Sequence, residues 1–155
     1  SITGRKKELL VTAGGKSVAP AGLEDPLRAH PLIGQVVVVG DKKPFVSALV
    51  SLDSEMLATW LKNHGGNDKL TVEQAAKDAL VLSEVQTAID NVNKNFSTAE
   101  SIRKFVIINA ELTESSGHLT PSLKIKREAV ARDFAKEIAE LYEDGKGHID
   151  RAVNF

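Results

Sequence analysis

The sequence predicts an α+β domain: a small β-sheet made of a hairpin plus a third strand, flanked by helices and preceded by an N-terminal two-stranded loop. Three observations lead there. Two β-rich runs, "IGQVVVVG" and "PFVSALVSLD", are joined by the turn chemistry of Asp41-Lys42-Lys43-Pro44. A late run, "SIRKFVIIN" at 101–109, supplies the third strand, and the stretches between and after carry helical periodicity. At 155 residues the chain is of single-domain size and long enough to bury roughly 70% of its unfolded surface.

In chain order, Glu8 to Thr12 is apolar and β-branched enough for a strand, Gly14-Gly15 breaks it, and Lys16 to Ala19 resumes an extended run. Pro20 to Ala29 reads as a short helix through Leu23 and Leu27, ended by His30-Pro31. In the hairpin, the continuous run Val36 to Val39 predicts a strand buried on both faces. Ser54 is a candidate N-cap for "EMLATWLKNH", whose Met56, Leu57, Trp60 and Leu61 form one apolar face, and Gly65-Gly66 stops it. Thr71 to Asp78 and Ser83 to Phe96 read as two further helices, the second with Val85, Ile89, Val92 and Phe96 as a core stripe. A polar connection, "ELTESSGHLTPSLKIKR", ends in a basic cluster. From Glu128, the residues Val130, Phe134, Ile138 and Leu141 predict a last helix that Gly145 terminates, with 146–155 a loose tail.

The bulk numbers narrow the function. Twenty basic residues against 21 acidic ones give a formal net charge of −1, so no long-range field draws nucleic acid, and no aromatic side chains interleave with the basic cluster to stack on bases. No nucleic-acid partner is expected. The absence of cysteine excludes disulfides, thiolate metal sites and cysteine nucleophiles, which makes a cytoplasmic location the default. No apolar run reaches the roughly 18 residues of a transmembrane segment. His30, His64, His118 and His148 contain no i, i+4 pair, so they are expected at the surface and no metal site is expected. Glu111, Glu114 and His118 read as solvated loop residues rather than as an acid/base set.

The GGKS tetrapeptide, Gly14 to Ser17, resembles the end of a phosphate-binding loop, but that pattern needs a glycine where Leu10 stands and a helix directly after it. Val18-Ala19-Pro20 is extended instead. A different assignment comes from two motifs taken together, "GRKKELLVTAGGKSVAPAGLE" at 4–24 and "LTPSLKIKR" at 119–127. In that order they resemble the C-terminal lid domain of long-chain fatty-acid–CoA ligases, members of the adenylate-forming superfamily.

The resemblance implies a division of the chain into a lid domain at 1–145, starting at the hinge, and the tail at 146–155, the large N-terminal adenylation domain being absent from this chain. It implies an enzyme that converts fatty acid, ATP and CoA to acyl-CoA, AMP and pyrophosphate in two half-reactions, the lid turning between them. ATP and CoA are then substrates, Mg2+ is expected in the full-length enzyme but not bound by this piece, and the fragment alone is expected to be inactive. Lys124 corresponds to the lysine that enters the site during adenylation, Lys7 to the hinge, and Arg5 to the arginine near the nucleotide ribose. Gly14, Gly15, Lys16 and Ser17 correspond to the loop that faces the pantetheine arm of CoA. Two departures stand out: Leu123 replaces the glycine most of the superfamily has before the lysine, as is common in the long-chain group, and Gly22 replaces a usual glutamate. The location implied is cytoplasmic, with membrane association left to the missing part or the substrate. The alternative reading is a non-enzymatic binding module whose basic loop, Lys124 to Arg127, binds an acidic partner or a phosphate.

Overall fold

In a computed structural model, residues 9–142 are described in full and residues 148–149 by their backbone. Strands β1 (Leu10–Val11) and β2 (Ser17–Val18) form the two-stranded loop, followed by helix α1 (Pro20–Arg28). The hairpin is β3 (Ile33–Val39) and β4 (Val46–Leu52). Helices α2 (Ser54–Asn63), α3 (Val72–Ala75) and α4 (Ala79–Asn93) and a 3-10 turn at Thr98–Glu100 lead to β5 (Ile102–Ile108). Helices α5 (Arg127–Asp133) and α6 (Ala135–Leu141) follow, and β6 (His148–Ile149) closes the order.

The sheet runs β3-β4-β5-β6. β3 and β4 are antiparallel, β4 and β5 are parallel, and β6 adds two antiparallel pairs at the edge of β5. A parallel pair needs a long crossover, and the segment containing α2, α3 and α4 is that crossover. The segment read as a loose tail therefore contains a short strand at 148–149.

The sheet is covered on both faces, and strand alternation sorts the side chains between two cores. Val36 and Val38 of β3, Ala48 and Val50 of β4, and Phe105 and Ile107 of β5 pack with Leu23 and Leu27 of α1, Leu57, Trp60 and Leu61 of α2, and Val85 and Ile89 of α4. Val37, Leu49 and Ile108 point the other way, onto Val130, Leu141 and the partly buried Phe134 and Ile138 of the C-terminal helices. This accounts for the unbroken apolar run of β3 and for β4, which is buried along its whole length.

Several boundaries differ from the sequence reading for local reasons. Asp53, not Ser54, caps α2, its carboxylate accepting from the Glu55 and Met56 amides. Asp78 caps α4 in the same way through Leu80 and Val81, so that helix starts at Ala79 rather than Ser83. At α2 an aspartate one residue upstream outcompetes serine because its charged oxygen bonds more strongly to the free amides of a first turn. Thr71 forms a full capping box with Gln74. The last helix is interrupted at Phe134, which leaves helical geometry at φ −115° and ψ 28° and divides it into α5 and α6. Pro26 sits inside α1, well past its first turn.

Candidate functional site

The Lys124 motif is a tight hairpin. Thr120 donates its amide to the Lys124 carbonyl (2.8 Å), the Leu123 amide donates to the Thr120 carbonyl (2.8 Å), and Leu119 and Ile125 form a bridge behind them. The Thr120 hydroxyl accepts from the Lys124 amide at 3.0 Å. A three-residue hairpin of this kind needs its last loop residue in the left-handed region, and Leu123 stands there at φ 66°. That conformation costs a leucine about 1–2 kcal/mol, which is why glycine suits the position. The side chain recovers nothing by burial, being 66% exposed.

Lys124 is exposed at the rim of an open cleft of about 560 Å³ between this hairpin and α1, lined by Glu24, Asp25, Arg28, Thr120, Leu123 and Arg127 among others. The floor of the cleft is an ion pair. Glu24, 1% exposed, takes both Arg127 guanidinium nitrogens at 2.8 Å, one on each oxygen, and one of those oxygens also accepts the Val38 amide at 2.7 Å. Arg127 was grouped by sequence with Lys124 and Lys126 as one basic cluster. The structure separates them: Lys124 and Lys126 are exposed, while Arg127 is half-buried and committed to Glu24. Much of the charge assigned to a docking loop is thus used inside the domain.

A second fastening lies behind the hairpin. His118 is buried, with Nδ1 2.7 Å from Ser116 Oγ and Nε2 2.8 Å from Asp133 Oδ2, and its ring lies 5.3 Å from that of Phe134. Its carbonyl accepts the Lys126 amide. The expectation that the histidines are surface residues fails here and for half-buried His30, which accepts the Leu32 amide on Nδ1 and reaches Glu84 at 2.7 Å through Nε2. His64 is exposed and stacked on Trp60, and the His148 side chain lies outside the described residues. The Ser116, His118 and Asp133 chain is a clasp rather than a nucleophile, since Ser116 Oγ already accepts the Thr113 amide and donates to the Thr113 carbonyl. The His118 hydrogen bond, with help from Arg132, holds the Asp133 carboxyl below its usual value. Glu111 accepts from the Ser54 hydroxyl and is exposed.

The glycine loop is a β-hairpin and no helix follows Ser17 directly, so GGKS is not a phosphate-binding loop of the nucleotide-triphosphate type. Gly15 takes φ 89°, whereas Gly14 has no left-handed backbone, and a Cβ at either would meet nothing within 4 Å. Gly15 is therefore required by the turn, whereas nothing among the described residues requires Gly14. The loop is pinned from behind by the β3–β4 turn: Val11 donates to Asp41 Oδ1, Lys42 to the Val11 carbonyl, and Ala13 to the Lys43 carbonyl. Arg5 and Lys7 lie outside the described residues.

The fold has known counterparts. The family described as AMP-binding enzyme C-terminal domain matches residues 7–146. The chain belongs to that family. Among curated relatives of this AMP-binding C-terminal domain, the long-chain-fatty-acid–CoA ligase FadD15 of Mycobacterium tuberculosis is 50% identical over 142 residues, covering 92% of the chain and 24% of the ligase. The long-chain-fatty-acid–CoA ligase ACSBG2 of Gallus gallus is 33% identical over 160 residues, covering 92% and 21%. Among solved structures, the adenylation domain of a carboxylate reductase from Mycobacterium chelonae superposes with a TM-score of 0.69 at 25% identity, over 89% of this chain and 20% of that one. The chain thus spans about a quarter of the length of the curated relatives it matches.

Sequence reasoning missed Glu24 as the counter-charge of Arg127, although it closes the first motif, and missed the two threonines that stand four residues before Lys16 and Lys124. The spacing T-x-x-x-K, present in "TAGGK" and "TPSLK", was the available signal. The Gly22 departure is mild. The position is exposed, and a Cβ there would meet the Phe96 ring only at an ordinary 3.7 Å.

Proposed function

We propose that this AMP-binding C-terminal domain is the lid of an AMP-forming long-chain fatty-acid–CoA ligase. The observation that carries the reading is Lys124, exposed on a stiff hairpin at the rim of an open cleft, in a chain 50% identical to the matching part of such a ligase. In the first half-reaction a fatty-acid carboxylate oxygen attacks the α-phosphorus of ATP and pyrophosphate leaves. A lysine ammonium placed on the carboxylate and α-phosphate stabilises charge in the transition state. In the second, the CoA thiol attacks the acyl carbon, AMP leaves with the bonding pair, and the thiol proton passes to solvent. The lid then turns about Lys7, brings Arg5 to the ribose, and presents Gly14, Gly15, Lys16 and Ser17 to the pantetheine arm.

The partner is the adenylation domain of the same polypeptide, which holds the fatty acid and ATP. The Mg2+ expected of the full-length enzyme belongs, on this reading, to that other domain, and no step here runs through it. No helix among the described residues is long and apolar enough to cross a membrane. The proposed location is cytoplasmic. The competing binding-module reading has less support, because Arg127 is spent on Glu24.

The test uses the full-length protein, assayed for fatty-acid-dependent ATP–pyrophosphate exchange and for CoA-dependent acyl-CoA formation. Both activities are expected, and neither from the present chain alone. Absence of both in the full-length protein, or turnover by the chain alone, refutes the lid assignment.

A further inference from the structure

The two functional loops are built to one plan. In the first, the Thr12 amide donates to the Lys16 carbonyl (2.9 Å), the Gly15 amide donates to the Thr12 carbonyl (2.9 Å), and the Thr12 hydroxyl accepts the Lys16 amide (3.2 Å). In the second, Thr120, Leu123 and Lys124 make the same three bonds at 2.8, 2.8 and 3.0 Å. The third loop residue is left-handed in both, Gly15 at 89° and Leu123 at 66°. Each loop therefore delivers an exposed lysine from the same backbone frame, the first residue after a left-handed bend, with its amide held by a threonine hydroxyl.

Among the described residues, a Cβ at Gly14 or Gly15 would meet no atom within 4 Å, so they leave a ligand room to approach that side of the loop. The Glu100 carboxylate is near enough to feel the Lys16 charge, and its Oε1 accepts from the Ser97 amide and hydroxyl. The stiffness of the loop also matters. A frame fixed by three internal bonds and by the β3–β4 turn loses little freedom when the ammonium meets an anion, so more of the contact energy remains for binding.

We propose that Lys16 is a phosphate-binding cation of the thioester-forming step, the counterpart in the second pose of what Lys124 is in the first. This rests on the lid reading above. Two phosphate sources are present in that step: the phosphate of the acyl-adenylate, which becomes that of AMP, and the phosphates of the CoA nucleotide. A lysine suits either, because its ammonium is a point charge with three donors and needs no planar, two-pronged partner.

The experiment takes the full-length protein and its Lys16→Met and Lys16→Arg variants. It measures ATP–pyrophosphate exchange, then single-turnover thioester formation from supplied acyl-adenylate with either CoA or pantetheine, which has the thiol but no phosphate. Lys16→Met is expected to leave exchange within about twofold of the parent and to slow the CoA reaction about 10- to 100-fold, the scale of a lost charged hydrogen bond, with recovery in Lys16→Arg. A loss seen with CoA but not with pantetheine assigns the CoA phosphates; the same loss with both thiols assigns the adenylate phosphate. An unchanged thioester rate with both thiols, or an equal loss in pyrophosphate exchange, overturns the proposal. Either result leaves the lid reading standing provided the parent protein performs both half-reactions, and a parent that performs neither refutes the lid reading itself.

Discussion

Removing one partner of the Glu24–Arg127 pair is the perturbation with the largest expected effect on this domain. Glu24 is 1% exposed and accepts three hydrogen bonds, two from Arg127 and one from the Val38 amide. Arg127→Ala leaves the carboxylate beneath the cleft with the Val38 amide as its remaining partner among the described residues, and stranding a buried charge in this way costs about 3–5 kcal/mol. For a domain of this size, at about 2–4 °C per kcal/mol, the melting temperature should fall by roughly 6–20 °C. Glu24→Gln should cost a comparable amount, because its amide nitrogen faces a donor where an oxygen stood. The double variant Glu24→Leu with Arg127→Met should recover most of the loss, since apolar residues of similar volume often replace a buried pair at little cost. Urea and thermal melts of the parent and the three variants compare these losses directly. A loss below about 1 kcal/mol for Arg127→Ala would show that the pair is merely solvated charge, and a double variant less stable than Arg127→Ala would show that apolar residues do not replace the pair.

Other consequences are separable from that one. In the full-length protein, Lys124→Ala should depress pyrophosphate exchange by about 100-fold or more and spare thioester formation from supplied acyl-adenylate, and equal losses in both would remove Lys124 from its assigned step. Gly14→Leu should leave the melting temperature of the chain nearly unchanged, because among the described residues nothing lies within 4 Å of its Cβ, while slowing the thioester step of the full-length protein; Gly15→Leu should also cost stability through its φ of 89°. Tyr142 donates to the Phe45 carbonyl and is pushed by burial from 10.0 to about 12. Its contribution is therefore complete below pH 10 and lost as the pH rises through about 12, a loss that a Tyr142→Phe chain should lack in alkaline melts.

Periodicity made much of the fold legible. The β3 run and the Val85, Ile89, Val92 stripe announce their burial because chain-local spacing and core position coincide there. Helix starts were read less well: adjacent acceptors such as Asp53 and Ser54 look alike until the backbone shows which one stands at the first turn, and the helix expected from Ser83 begins at Ala79 behind the Asp78 cap. The buried pairings were illegible for a stronger reason. Glu24 with Arg127 and His118 with Asp133 join residues far apart in the chain, and a charge run gives no sign of which member will turn inward. The resemblance supplied Lys124 and the glycine loop, yet Leu123 looked like a simple departure. Its left-handed φ shows that the position still has a glycine's geometry and that leucine occupies it under strain.

Under the lid reading, the same long-range pair bears on how the Lys16 and Lys124 loops have to move. Glu24 lies in α1, the helix that follows the Lys16 loop, and Arg127 opens α5, the helix that follows the Lys124 loop. Their bidentate contact, with the Val38 amide as a third anchor in β3, fastens the elements behind both loops to the same sheet. The β3–β4 turn holds the first loop from behind, and His118 holds the base of the second. Loops so fixed cannot easily trade places by local bending. Under the lid reading, withdrawing Lys124 and presenting Lys16 must then be one rotation of one body, and the hinge alone has to absorb the change. A loosened lid should show the difference: Arg127→Ala, at a temperature where it remains folded, should impair both half-reactions together, whereas Lys124→Ala and Lys16→Met should each impair one.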